Sequence, residues 1–235
     1  MMKRLLLLLL VLPSLALADK ITATSWLVAD EDGRVLESRN ADQSRSIASI
    51  TKLMTAMVVL DSEQDLNERL GDLTRKELLQ LMLVKSDNLA AERLCENYYL
   101  GRSGCIGAMN RKAQSLGLEN THYADPSGLN IMNVSTAQEL VQIVLASSKY
   151  PEIVEASNIS QGKVKQKKHT YAFNNTNPLV STYKFVVSKT GYIRASGGCI
   201  VMMLDAKIGR RIVVLLNSKN TKTRIPEAER IANIY

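Results

Sequence analysis

The stretch Ile47-Ala48-Ser49-Ile50-Thr51-Lys52-Leu53-Met54-Thr55-Ala56-Met57-Val58-Val59-Leu60 decides how the rest of the chain is read. Ile47, Ile50, Leu53, Met54, Met57, Val58 and Leu60 recur at helical spacing, which predicts an amphipathic helix opening near Ser49. Upstream the period is that of strands: residues 21–29 and 34–38 are separated by Asp30-Glu31-Asp32-Gly33, a hairpin signal. Downstream, the polar segment 61–71 ends the helix, and the capping box Thr74-x-x-Glu77 opens another through residues 78–84. Residues 89–99 and 106–116 predict two more helices, the second closed by Gly117. Ser135-x-x-Gln138 reads as the cap of a helix reaching Ala146, with Pro151 beyond it. After about residue 158 the chain turns strand-like, at 185–188, 199–204 and 211–217, and residues 227–234 predict a closing helix. Strands at both ends with helices between them predict an α+β fold in one domain, its terminal segments sharing one sheet and a helical lobe inserted against it.

The chain has 235 residues and 46% apolar content, enough for a substantial core. Neither disorder nor a repeat array fits this composition. Residues 1–18 read as a signal peptide: Lys3 and Arg4 form a basic head, residues 5–12 an apolar run, and Ala16-Leu17-Ala18 a cleavage site. The run falls well short of the ~20 residues that span a bilayer. An exported protein is therefore expected, periplasmic or otherwise extracytoplasmic, with residues 19–235 as its domain and no membrane anchor. Loss of Lys3 and Arg4 lowers the formal charge of +7 by two, and no nucleic-acid recognition element accompanies the remaining cations. Lys163, Lys165 and Lys167 alternate, as on one face of an extended segment. Export also permits disulfides. Cys95 and Cys105 flank a turn and could staple it, whereas Cys199 lies in an apolar strand-like run. No Cys or His spacing suggests a metal site, and neither His122 nor His169 suggests a triad.

The chemistry is carried by three short motifs. In Ser49-Ile50-Thr51-Lys52, positions i and i+3 share a helix face, so the hydroxyl and the amine can meet there. The helix N-terminus would favour a developing alkoxide, and a Lys52 buried beside another cation would have the lowered pKa a base needs. The spacing recurs at Ser160…Lys163 and Ser181…Lys184, but only at Ser49 does it open an apolar helix. Ser86-Asp87-Asn88 lies on a turn between helices, where a simple cap would use the same residues. Lys189-Thr190-Gly191 ends a strand. Singly each is weak; in this order they converge on one site.

The three motifs resemble those of penicillin-binding proteins and serine β-lactamases. The chain is most similar to low-molecular-mass penicillin-binding proteins of the D-alanyl-D-alanine carboxypeptidase/endopeptidase family, the endopeptidase branch above all. Asp125-Pro126-Ser127-Gly128-Leu129, Asn133-Val134-Ser135-Thr136-Ala137, Asn175-Thr176-Asn177-Pro178 and Gly198-Cys199-Ile200-Val201-Met202 resemble further landmarks of that family, in the same order. The resemblance implies a β-lactamase/transpeptidase-like fold, an antiparallel five-stranded sheet flanked by helices with an inserted all-helical lobe. It implies Ser49 as acylated nucleophile, Lys52 as base and Ser86 as proton relay. Asn88, Lys189, Thr190, Gly191 and Tyr192 would bind substrate, with the Ser49 and Tyr192 N–H groups as oxyanion donors. The implied partners are peptidoglycan peptide stems, with β-lactams bound covalently at Ser49; no cofactor is implied.

Two departures and one rival complete the reading. Segment 61–73 is shorter than in family members, and Ile193 stands where the family often has Thr. Nothing follows the closing helix that reads as the C-terminal anchoring module of many carboxypeptidases. A class A β-lactamase would need a Glu that activates water; residues 119–130 hold only Glu119, in no E-x-x-x-N pattern. A non-catalytic peptidoglycan-binding relative would not require the intact motif set.

Overall fold

A computed structural model describes residues 21–233. The export signal expected over residues 1–18 lies outside them. Strands β1 (Ser25–Asp30) and β2 (Val35–Arg39) form the expected hairpin. Its turn is closed by the Asp30 carboxylate, which accepts the Asp32 and Arg34 N–H groups at 3.0 and 2.9 Å. A short β3 (Arg45–Ser46) leads through a 3-10 turn, Ala48–Ile50, into α1 (Thr51–Asp61). This helix is not amphipathic as expected. Thr51 through Val59 are all buried, because α1 runs through the middle of the molecule with neighbours all round it. Its polar members are satisfied locally: the Thr55 hydroxyl donates to the Pro126 carbonyl at 2.7 Å.

The lobe follows. A two-residue ladder, β4 (Arg69–Leu70) with β5 (Leu73–Thr74), precedes α2 (Arg75–Gln80), whose capping box forms as predicted. A π turn, Leu81–Lys85, separates α2 from α3 (Asn88–Glu96). Next, α4 (Gly101–Ser115) begins five residues before the expected start. Gly101, Gly104 and Gly107 hide its first turns from a propensity reading. Tertiary packing overrides them: Cys105 is disulfide-bonded to Cys95 of α3, with Cα atoms 5.3 Å apart, and Leu100 lies over Gly104. Gly117, at φ +72, ends the helix.

Strand β6 (Val134–Ser135) pairs with β3, so Ser135 is a strand residue and not the cap it was expected to be. Thr136 caps α5 (Ala137–Ser147), its side chain accepting the Glu139 N–H. Pro151 does not merely follow a helix. It occupies the first turn of α6 (Pro151–Asn158), where its missing N–H costs nothing. The hairpin β7 (Gln161–Gln166) and β8 (His169–Asn174) comes next. Lys163 and Lys165 share an exposed face of β7, but Lys167 is in the turn at φ 54 and leaves that row. The chain ends with β9 (Phe185–Ile193), β10 (Gly197–Ala206), β11 (Gly209–Ser218) and α7 (Arg224–Ala232).

The main sheet is antiparallel and five-stranded, as the resemblance implied, and its order is β2-β1-β11-β10-β9. Its central strands are buried on both faces, with a period of two. Leu27, Val201, Ile212 and Val214 face the core shared with α1, α5 and the lobe. Trp26, Val28, Ile200, Met202, Val213 and Leu215 face a second core against α7. Runs such as 199–204 are thus continuously apolar because helices cover both sides. Cys199 is fully buried there and unpaired, as its setting predicted.

Candidate active site

The site forms where the start of α1 meets the edge strand β9 and the turn before α3. Ser49 sits in the 3-10 turn that feeds α1, behind Ala48, which adopts φ 47. A non-glycine residue in that region is strained, so something must hold it. The loop 125–130 does. The buried Asp125 carboxylate accepts the N–H groups of Ser127 and Gly128 at 2.6 Å each, the Ser127 hydroxyl, and the Asn130 N–H. Gly128, at φ +84, lies flat on the Ala48–Ser49 peptide: a Cβ there would fall 2.0 Å from the Ala48 carbonyl oxygen. Asn133 completes the brace, donating to the Thr51 hydroxyl at 3.0 Å and accepting the Ala124 and Asp125 N–H groups.

Lys52 is fully buried, and its ammonium donates to Ser49 Oγ at 2.9 Å, Asn88 Oδ1 at 2.7 Å and the Ser127 carbonyl. Burial lowers its pKa to about 8, against the opposing pull of Asp125, Asp87 and Glu92. Near neutrality, a usable fraction of Lys52 is therefore an unprotonated amine in contact with a hydroxyl. Asp125 itself is kept a carboxylate: burial would raise its pKa, but the N–H groups of Asn130, Gly128 and Ser127 and the Ser127 hydroxyl bring it below the ordinary value.

Across the cleft, Ser86 follows the π turn and adopts φ 62, ψ 35. Its hydroxyl accepts from Lys189 Nζ at 2.9 Å, and Lys189 also donates to the Thr190 carbonyl at 3.0 Å. Lys189 is almost wholly buried with no carboxylate among these partners. Burial, then the neighbouring charges of Lys52 and Arg224, push its pKa well below that of an ordinary lysine. Thr190 Oγ1 donates to Thr176 Oγ1 at 2.6 Å, and Asn177 ties Ser188 from the same segment. Gly191 is where the sheet approaches Ser49: a Cβ there would lie 3.0 Å from the Ser49 nitrogen. Tyr192 follows, its side chain half exposed on the rim.

Ser49, Lys52 and Asn88 thus form one hydrogen-bonded group, Ser86, Lys189 and Thr190 a second, and Gly191 joins the two walls. Cys95 and Cys105 lie outside both groups and fasten α3, whose first residue is Asn88, to α4. Three contributors carry no signal in the three motifs. The Ser127 carbonyl holds Lys52, Gly128 seats the Ala48–Ser49 turn, and Arg224 Nη1 donates to the Gly191 carbonyl from beneath the sheet. The first two lie within a family landmark quoted above. Arg224 had no sequence signal at all.

This architecture has known counterparts. The Streptomyces K15 DD-transpeptidase superimposes with a TM-score of 0.84 at 27% identity, covering 90% of this chain and 95% of that one. Penicillin-binding protein D2 of Listeria monocytogenes, solved in its ampicillin-bound form, gives 0.80 at 26% identity, covering 90% and 96%. The D-alanyl-D-alanine endopeptidase of Pseudomonas aeruginosa is 37% identical over 92% of this chain and 78% of its own length. The family described as D-alanyl-D-alanine carboxypeptidase, peptidase S11, matches residues 13–71 and 66–220. With that match and the shared architecture, the chain belongs to that family of serine peptidases.

Proposed function

We propose that this protein is a DD-endopeptidase that cleaves D-alanyl cross-links in peptidoglycan through an acyl-enzyme on Ser49. The observation that carries the reading is the 2.9 Å contact between Lys52 Nζ and Ser49 Oγ, with the pKa of Lys52 lowered by burial to about 8. Ser49 Oγ attacks the D-alanyl carbonyl carbon while Lys52 takes the hydroxyl proton. The oxyanion is received by the N–H groups of Ser49 and Tyr192; losing one such donor costs about 3 kcal/mol of transition-state stabilisation. The C–N bond then breaks as Ser86, held by Lys189, relays the proton taken up by Lys52 to the departing amine. Water attacks the ester, Lys52 takes its proton, and the ester C–O bond opens as Lys52 returns that proton to Ser49 Oγ. Asn88, Lys189, Thr190, Gly191 and Tyr192 align the substrate along β9.

The endopeptidase branch is favoured over terminal D-Ala removal because the Pseudomonas relative bears that name. Residues 1–18 act as an export signal, so the reaction takes place in the periplasm or another extracytoplasmic space. The Cys95–Cys105 disulfide suits such an oxidising compartment. β-Lactams acylate the same serine.

Two measurements test this. A fluorescent penicillin labels the wild type and leaves Ser49→Ala unlabelled; equal labelling of both removes Ser49 from the mechanism. Digestion of purified muropeptides converts cross-linked dimers to monomers; release of terminal D-Ala alone makes the enzyme a carboxypeptidase instead.

A further inference from the structure

The formal charge of +7 is concentrated in one stretch of the chain. Residues 156–204 contain seven Lys or Arg and no Asp or Glu, so all the other residues together balance to zero. Lys189 is buried in the candidate site, but Lys163, Lys165, Lys167, Lys168, Lys184 and Arg194 are exposed. None of these six belongs to an ion pair among the described residues. Four of them lie on the hairpin β7–β8.

The pleat of the hairpin turns its charges outward. Val164 of β7 and Phe173 of β8 are buried in the main core, so Lys163 and Lys165, on the alternate positions, face solvent. The residues paired with these two lysines are Ala172 and Thr170, neither of which can neutralise an ammonium. Lys167 and Lys168 form the tip. The base of the hairpin is tied to the candidate site. Just past β8, the Thr176 N–H donates to the Val84 carbonyl at 3.2 Å, and the Thr176 hydroxyl accepts from Thr190 at 2.6 Å. Arg194 follows the end of β9, two residues beyond Tyr192.

We propose that this hairpin docks the enzyme on the intact wall, where Lys163, Lys165, Lys167 and Lys168 bind free carboxylates of peptidoglycan peptide stems. The inference rests on the peptidoglycan reading above and adds the physical form of the substrate, an insoluble polyanion. A stem ends in a carboxylate wherever it is not joined through that end, so a wall sheet presents many anions at once. A single exposed lysine–carboxylate contact is weak, but several on a linked array act together. An excised dimer or a β-lactam carries too few charges to gain from the hairpin. The occupant is a hydrated polymer and not a bilayer. A hairpin seated in a membrane needs apolar side chains to insert, whereas this one buries Val164 and Phe173 and ends in two lysines.

The test compares the intact mature protein with a variant carrying Lys163→Gln, Lys165→Gln, Lys167→Gln and Lys168→Gln, and with the four corresponding Lys→Arg changes. Co-sedimentation with purified insoluble peptidoglycan is measured with Ser49→Ala in every chain, so that the wall stays uncut. Penicillin acylation and cleavage of a soluble muropeptide dimer are measured with Ser49 intact. The Gln variant should bind the wall about tenfold more weakly at low salt, and the difference should vanish near ~0.5 M salt. The Arg variant should bind like the wild type, and all three should acylate and cut the soluble dimer within about twofold of one another. Equal wall binding by wild type and Gln variant overturns the proposal, as does equal weakening in the Arg variant, which reports damage to the hairpin instead of lost charge. Wild-type binding that ignores salt overturns it whatever the variants do. Binding to phosphatidylglycerol vesicles as tight as to the wall overturns the choice of partner. A wild type that leaves the soluble dimer intact overturns the endopeptidase reading, while the sedimentation arm, which needs no turnover, still decides the hairpin.

Discussion

The two walls of the site are built by opposite means. The sheet wall is regular: Lys189, Thr190 and Gly191 are successive rungs of β9, paired with Val201, Ile200 and Cys199 of β10. The opposing wall is irregular, with Ser86 left-handed after a π turn and Ala48 at φ 47 immediately before Ser49. Such residues cost about 1–3 kcal/mol each and persist only where their surroundings over-determine them. A ladder fixes the direction of a row of groups at little local cost. It cannot bring two hydroxyls and an amine from different segments to one point, and the strained turns do that.

The comparison can be broken most directly at the lysine that serves the irregular wall. Lys52→Met should lower penicillin acylation by roughly a thousandfold or more, as expected when a group acting with the nucleophile is lost. Wild-type acylation should rise with pH through about 8, where Lys52 gives up its proton. Stability should respond as well. The folded pKa lies below the ordinary 10.5, so between about 8 and 10.5 the unfolded chain binds more protons and the wild type gains stability as pH rises. Urea titrations across that window should show a larger gain in the wild type than in Lys52→Met, where the buried Lys189 still contributes.

A matched glycine pair gives the next largest effect. Gly128→Ala would place a methyl 2.0 Å from the Ala48 carbonyl oxygen, at φ +84; Gly191→Ala meets its neighbours only at 2.9–3.1 Å. The first should cost about 3 kcal/mol or more in stability and most of the acylation rate, the second about 1 kcal/mol. Equal losses would show the sheet wall to be as finely set as the strained one.

Removal of the disulfide should act on one side only. The bond closes a loop of sequence separation 10, so Cys95→Ser with Cys105→Ser should cost about 2–3 kcal/mol. Amide exchange should quicken in α3 and α4 and stay slow in β10 and β11. Acylation at 25 °C should change least of all, since neither sulfur touches the catalytic groups.

Much of this was legible from the chain. The side chains of Ser49, Lys52, Ser86, Asn88 and Lys189 do come together in one cleft, and what singled them out was three individually weak motifs occurring in one order. A sheet shared by the two ends of the chain follows from their strand-like runs, while its five antiparallel strands were implied by the family resemblance. Other features depend on tertiary context. The caps at positions 135 and 136 are equally good locally, and only the β3–β6 ladder chooses Thr136. Three glycines mask the start of α4, and Pro151 looks like a terminator until its N-terminal position is seen. Asp125 organises its loop through backbone N–H groups, and Arg224 reaches Gly191 only once α7 has packed on the sheet. Neither contact leaves a periodic trace.

The strand order also governs assembly. β1 does not pair with β9 or β10; it reaches them only through β11, which sets Ser25 against Leu216. Contacts of such long range carry a high loop-closure cost and form slowly. The wall that carries Lys189 can begin as a local hairpin, but its docking against the N-terminal hairpin waits for β11. Every candidate site residue from Ser49 to Tyr192 precedes β11 in the sequence. Penicillin reactivity should appear late and in a single step, as a report that the sheet has closed.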